Sequence, residues 1–201
     1  MQHDQMVYVV DDDLSIREAL SSLIRSVGLA VETYASALEF LAKQHKSKVA
    51  CLILDIRMPE LNGLELQSKL IELGQNLPII FITGHGDIPM AVRAMKQGAL
   101  EFLPKPFRDE DLLAAIHTAL DKARQTYAQQ HELDDIRRRY GSLTLREKEV
   151  LVYMVKGSLN KQTAAELGVS EMTVKVHRHN VMQKMGVNSV PDLVRMVERL
   201  K

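Results

Sequence analysis

Cys51-Leu52-Ile53-Leu54-Asp55 is an apolar run closed by a single carboxylate, and its reading decides the fold. A run with no polar alternation needs cover on both faces, which is the environment of a strand inside a parallel sheet. Two other apolar runs end in charge: Val9-Val10-Asp11-Asp12 and Phe102-Leu103-Pro104-Lys105-Pro106. If these runs are parallel neighbours, three carboxylates and one ammonium converge where the strands stop.

Working outward, the stretches 6–10, 30–34, 50–54, 77–82 and 100–103 read as strands. They alternate with amphipathic stretches near 14–27, 37–44, 62–73 and 87–97, and with another that begins at Asp109. Five βα units predict an α/β doubly wound, five-stranded parallel sheet of flavodoxin-like order 2-1-3-4-5. Local punctuation agrees. Ser36-Ala37-Leu38-Glu39 has the form of a capping box, and Gly28, Gly74 and Gly98 stand where helices should stop.

The expected domains are 1–120, a helical linker over 121–141, and an all-α domain over 142–201. The linker is polar and uninterrupted up to Tyr140, with Asp134–Arg138 and Asp135–Arg139 spaced for i,i+4 ion pairs. Thr144-Leu145-Arg146-Glu147 opens the last domain as a second capping box. Helices near 144–156, 161–167, 171–186 and 190–200 follow, the middle pair in helix-turn-helix proportions with Ser170 as N-cap after Gly168-Val169.

The formal net charge of zero hides an asymmetry. Residues 1–120 hold 11 basic against 16 acidic side chains, net −5, and residues 121–201 hold 15 against 10, net +5. A polyanion should therefore meet only the C-terminal half. The sole cysteine, Cys51, excludes an intrachain disulfide framework and reads as a small core residue. No apolar stretch approaches the roughly 18 residues that cross a bilayer, and the N-terminus lacks the plan of a signal peptide. A cytoplasmic protein with no membrane partner is expected.

Ligands of an open α/β sheet bind beyond the carboxyl ends of its strands, where strand order reverses. Strands 1 and 3 would flank that point, bringing Asp11, Asp12 and Asp55 into one crevice. Three carboxylates so close need compensation, and a hard divalent cation such as Mg²⁺ supplies it. Asp55, alone on the central strand, is the candidate nucleophile towards phosphorus. Lys105 offers charge neutralisation, and Thr83, ending strand 4, offers a hydroxyl to a phosphoryl oxygen. Asp13 reads as a helix N-cap.

This constellation of Asp11, Asp12, Asp55, Thr83 and Lys105 resembles the receiver domain of two-component response regulators over the first 120 or so residues. The segment Phe81-Ile82-Thr83-Gly84-His85-Gly86-Asp87-Ile88-Pro89-Met90-Ala91-Val92 is similar to regulators of the FixJ type. The resemblance implies that Asp55 accepts a phosphoryl group from a sensor histidine kinase. It also implies that Asp11, Asp12, Asp55 and the backbone carbonyl of Arg57 hold Mg²⁺, and that Phe102 is the switch aromatic. Homodimerisation through the fourth helix and fifth strand is implied as well.

On 171–186, Val174, His177, Val181 and Met185 follow the spacing of a buried stripe, leaving Lys175, Val176, His179 and Gln183 towards solvent. Arg178 and Lys184 fall at its edges, and His177 reads as a packed core histidine. Thr144-x-Arg146-Glu147-x-Glu149-Val150-Leu151, Asn160-Lys161 and Thr173-Val174-Lys175-x-His177 resemble the LuxR-type helix-turn-helix. That likeness implies base contact by Lys175, Val176 and His179, and phosphate contact by Lys161, Thr173 and Arg178, on double-stranded promoter DNA. RNA polymerase would be a further partner. Met185-Gly186 stands where the family has an aliphatic pair, with an expected effect on packing only.

The expectation is a phosphorylation-dependent transcriptional regulator rather than an enzyme. Two other readings compete. Asp11-x-Asp13 after an apolar strand superficially resembles the motif of haloacid-dehalogenase phosphatases, but Leu14 and Ser15 replace its continuation. A regulator that binds DNA without phosphate is the third.

Overall fold

The computed structural model describes residues 5–45, 47–84 and 88–200. The chain divides into two compact units, 1–127 and 128–201. In the first, β1 (Gln5–Val10), β2 (Ala30–Tyr34), β3 (Val49–Asp55), β4 (Ile79–Thr83) and β5 (Glu101–Pro104) alternate with α1 (Leu14–Ser26), α2 (Ala37–Ala42), α3 (Gly63–Glu72) and α4 (Ile88–Lys96). The strands form one parallel sheet in the order β2-β1-β3-β4-β5, as the sequence predicts.

Strand periodicity shows why the apolar runs are continuous. Ala50, Leu52 and Leu54 of β3 enter one core cluster, with Tyr8, Val10, Phe40, Leu66 and Phe81. The alternate residues Val49, Cys51 and Ile53 enter a second, with Val7, Val9, Ile24, Ile80 and Ile116. Both faces of the central strand are thus dry, and no position on it tolerates a polar side chain until the chain reaches Asp55. Burial pushes the Cys51 thiol up to about 12, which suits an inert core residue.

Helix ends follow local chemistry. Asp13 accepts a hydrogen bond from the Ser15 N–H at 2.8 Å and caps α1 as expected. Ser36 caps α2 through the Glu39 N–H, at 3.1 Å. The return bond of that box differs from expectation: the Glu39 carboxylate accepts from the Ala35 N–H, not from Ser36. Asn62 and Glu65 form a full reciprocal box on α3. Gln67, 1 % exposed, donates its amide N–H to the Ala94 carbonyl at 3.2 Å and so ties α3 to α4.

Helix α5 runs from Asp109 to Gly141, and the division between units falls within it. The sequence reading makes 121–141 a solvated connector. In the structure Ile136 is 3 % exposed and Tyr140 packs beside it, both in the core of the second unit. Leu133, Ile136, Tyr140 and Leu143 carry the 3,4,3 spacing of an apolar stripe, a signal that the polar composition around them hides. The expected Asp134–Arg138 pair is replaced by Asp134–Arg137 at 3.2 Å, while Asp135 meets both Arg138 and Arg139.

The second unit continues with α6 (Leu145–Val155), α7 (Asn160–Leu167), α8 (Glu171–Met185) and α9 (Val190–Glu198). Thr144 and Glu147 form the predicted capping box. Glu147 is also paired with Lys184 of α8 at 2.6 Å. Arg139 donates to the Met185 carbonyl at 2.9 Å, satisfying an orphan acceptor at the end of α8. Gly186 follows with φ 68°, and a Cβ there would overlap the Arg139 guanidinium.

Candidate functional site

Three strands deliver the charges. Asp11 lies one residue past β1, Asp55 is the last residue of β3, and Lys105 lies one past β5. Because β1 and β3 are neighbours in register, Val10 opposite Leu54, their carboxyl ends are level. Ligand oxygens of Asp11, Asp12 and Asp55 all fall within 4.8 Å of one another. Asp11 is 1 % and Asp55 7 % exposed, whereas Asp12 faces solvent.

Each buried carboxylate is held by backbone amides. Asp11 Oδ1 accepts from the Asp13 N–H at 2.9 Å, and Asp55 Oδ1 accepts from the Ile56 N–H at 2.9 Å. The Lys105 ammonium donates to Asp11 Oδ2 at 2.7 Å and lies 3.8 Å from Asp55 Oδ1. Burial pushes the Asp55 carboxyl above its ordinary range; Lys105 opposes the shift, and Asp11 and Asp12 add to it. Two buried carboxylates with a solvent-facing third form an all-oxygen set that matches a hard cation such as Mg²⁺, with open positions left for water and a phosphate oxygen.

Thr83 ends β4, is 1 % exposed, and accepts the Lys105 N–H on its backbone carbonyl at 2.8 Å. The Lys105–Pro106 peptide is cis. Phe102 lies on β5 opposite Phe81, half-buried against the first cluster. Arg57 sits on the loop after β3 with its side chain exposed. A groove of about 670 Å³ beside this loop is lined by Arg57, Met58, Leu64, Met90 and Arg93 among others, not by the three carboxylates. His85, Gly86 and Asp87 of the FixJ-like segment lie outside the described residues.

Two contributors escape a sequence reading. Arg17, on α1, donates to the Asp11 carbonyl at 2.8 Å. Gly63 opens α3 so close to β3 that a Cβ would collide with the Asp55 carbonyl and lie 3.0 Å from Ile56 Cα and 3.1 Å from the Phe81 ring. Only a glycine lets α3 start against the end of β3; the signal in the sequence was Asn62-Gly63 before an apolar helix.

In the second unit, α7 stops at Gly168, φ 65°, and Ser170 caps α8 through the Thr173 N–H at 3.1 Å. Val174, Val181 and Met185 are fully buried, and His177 is half-buried with its Nδ1 unpartnered among the described residues. Lys175, Val176, His179 and Gln183 face solvent, as does Lys161 at the start of α7. Thr173 and Arg178 are half-buried. Met172, absent from the sequence-based candidates, is 70 % exposed on the first turn of α8.

Comparison with known proteins identifies both domains. Residues 7–117 match the response regulator receiver domain, and 141–197 match the bacterial regulatory proteins of the luxR family. The chain is 56 % identical over 198 residues to the response regulator protein TmoT of Ectopseudomonas mendocina, covering 98 % of this chain and 90 % of that one. It is 44 % identical to the transcriptional regulatory protein FixJ of Rhizobium meliloti, over 96 % of this chain and 95 % of that one. The solved structure of the response regulator StyR superposes with a TM-score of 0.91 at 49 % identity, over 98 % of this chain and 99 % of that one. The chain therefore belongs to the two-component response regulators, with a receiver domain and a LuxR-type DNA-binding domain that make it a regulator of transcription.

Proposed function

We propose that Asp55 is phosphorylated by a partner histidine kinase with Mg²⁺ bound, and that the product dimerises and binds promoter DNA. The observation that carries this reading is the meeting of Asp55 with Asp11, Asp12 and Lys105 at the level ends of β1, β3 and β5. An Asp55 carboxylate oxygen attacks the phosphorus of a phosphohistidine; the O–P bond forms as the N–P bond breaks, and the imidazole leaves. Asp11, Asp12, Asp55 and the Arg57 carbonyl would hold Mg²⁺, which when bound would supply neutralisation of phosphoryl charge. Lys105 and the Thr83 hydroxyl receive phosphoryl oxygens once Asp55 is modified.

The step to DNA runs through Thr83 and Phe102 to α4 and β5. Ile88, Val92 and Met95 of α4 are 80 %, 45 % and 44 % exposed at i, i+4 and i+7, an apolar stripe suited to a second copy. On the dimer, Lys175, Val176 and His179 read bases while Lys161, Thr173 and Arg178 meet phosphates, with RNA polymerase recruited to the bound promoter. In this reading the receiver spans 1–120, the connector 121–141 and the output domain 142–201, and the protein acts in the cytoplasm. The relatives named above are regulators, which supports a signalling rather than an enzymatic role.

Incubation with acetyl phosphate and Mg²⁺ is expected to add roughly 80 Da, the mass of one phosphoryl group, to the peptide carrying Asp55, and to strengthen DNA binding. Asp55→Asn should abolish both changes. Catalytic turnover of a phosphate ester that survives Asp55→Asn but not Asp11→Asn would instead support a phosphatase. Equal DNA affinity with and without the adduct would favour the phosphate-independent regulator.

A further inference from the structure

We infer that Met172 is an additional sequence-reading residue, whose thioether chain packs on the 5-methyl group of a thymine in the major groove. This rests on the DNA-binding reading above. Helix α8 carries apolar side chains on two faces: Val174, Val181 and Met185 are fully buried, while Met172 and Val176 are 70 % and 52 % exposed. The exposed pair is spaced i,i+4, so the two side chains lie on one face of the helix. Lys175 and His179 flank the same face, and Met172 stands in the first turn, two residues after the cap Ser170.

Chemistry selects the occupant. A recognition helix presents its N-terminal residues to base edges. Thymine alone adds an apolar group to the major-groove edge, and apolar side chains are its natural contacts. Methionine is unbranched and polarizable, so it adapts to a methyl group whose position shifts with local groove geometry. In the core of this unit Met154 and Met185 are 1 % and 0 % exposed, so methionine there is otherwise a packing residue. Met172, 70 % exposed on the basic, solvent-facing side of α8, is not one of these core methionines.

The test uses full-length protein, treated with acetyl phosphate and Mg²⁺, and a duplex selected from a random-sequence pool. Each thymine of the footprint is replaced in turn by uracil, which removes the methyl group and keeps every hydrogen-bonding edge. At one thymine per half-site, uracil should weaken binding by Met172-containing protein about fourfold, the weight of one methyl-sized apolar contact. Met172→Ala should bind the thymine duplex that much more weakly and lose the uracil penalty at that position alone. Met172→Leu should restore part of it, and the salt dependence of binding should stay unchanged because no phosphate contact is touched. A uracil penalty that is identical in wild type and Met172→Ala at every position overturns the inference and leaves the DNA-binding reading standing. Failure to recover any bound duplex overturns both.

Discussion

The Lys105 ammonium is bonded to Asp11, at 2.7 Å, and stands off from Asp55, at 3.8 Å. Its charge is thus directed mainly at Asp11, and the second carboxylate oxygen of Asp55 has no contact with it. On the proposed reading Asp11→Asn would remove a hard ligand and free Lys105 to pair with Asp55. Mg²⁺ affinity of the variant should fall about tenfold or more, since even outer-sphere partners of a ligand carry that much. Titration calorimetry on the two proteins checks it, and equal affinities would exclude Asp11 as a ligand. Because burial raises the Asp55 pKa, phosphoryl acceptance without saturating Mg²⁺ should decline on acidification at a higher pH than an exposed aspartate would impose.

Gly63→Ala tests the close approach of α3 to β3. The added methyl meets the backbone of Asp55 and Ile56, which cannot rotate away as a side chain would. A loss of about 1–3 kcal/mol is expected, the range for overpacking a dry site, together with slower phosphorylation. Thermal melting with and without Mg²⁺ reports the first effect; an unshifted transition would mean that α3 moves aside at no cost.

Acid should loosen the second unit through one pair. The hydrogen bond from Lys184 holds the Glu147 carboxyl below its ordinary 4.5. A depressed folded-state pKa contributes stability above the unfolded value and loses it as pH falls through the folded one. Lys184→Met removes the cause of the shift, so the acid unfolding transition of the variant should begin at higher pH. Circular dichroism between pH 7 and about pH 2, a window spanning both carboxylate forms, detects the displacement. Superimposable acid limbs would rule the pair out as a contributor.

Gln67→Leu should be nearly neutral despite deleting a buried hydrogen bond. The Ala94 carbonyl that Gln67 serves already accepts from the Ala99 N–H at 3.1 Å, and Gln67 Oε1 has no partner among the described residues. Replacing a half-satisfied amide by an isosteric apolar group removes its desolvation penalty along with its bond. A change within about 1 kcal/mol is expected in urea titration. Destabilisation well beyond that would reveal a role for the amide in positioning α4.

What the sequence makes legible is what repeats or terminates. The five apolar runs announce the strands, and Asp11, Asp55 and Lys105 are legible because each ends a run, a place set by topology rather than by side-chain packing. Arg17 and Gly63 are not, because their roles depend on where a neighbouring backbone passes. The 128–141 stretch is misjudged for a related reason: Ile136 and Tyr140 are sparse among charges, and only a facing core shows that they pack into it. Ion-pair partners are the least legible, since i,i+3 and i,i+4 donors compete within a fraction of a kcal/mol, as Asp134 turning to Arg137 illustrates.

The contact between Arg139 and the end of α8 has an evolutionary consequence. A side chain at position 186 would have to displace the guanidinium from the Met185 carbonyl, besides bearing the strain of φ 68°, so the two positions are coupled. Among descendants of this chain, loss of Gly186 should coincide with a shorter residue at 139. The two positions ought to covary even though 46 residues separate the partners of that hydrogen bond along the polypeptide.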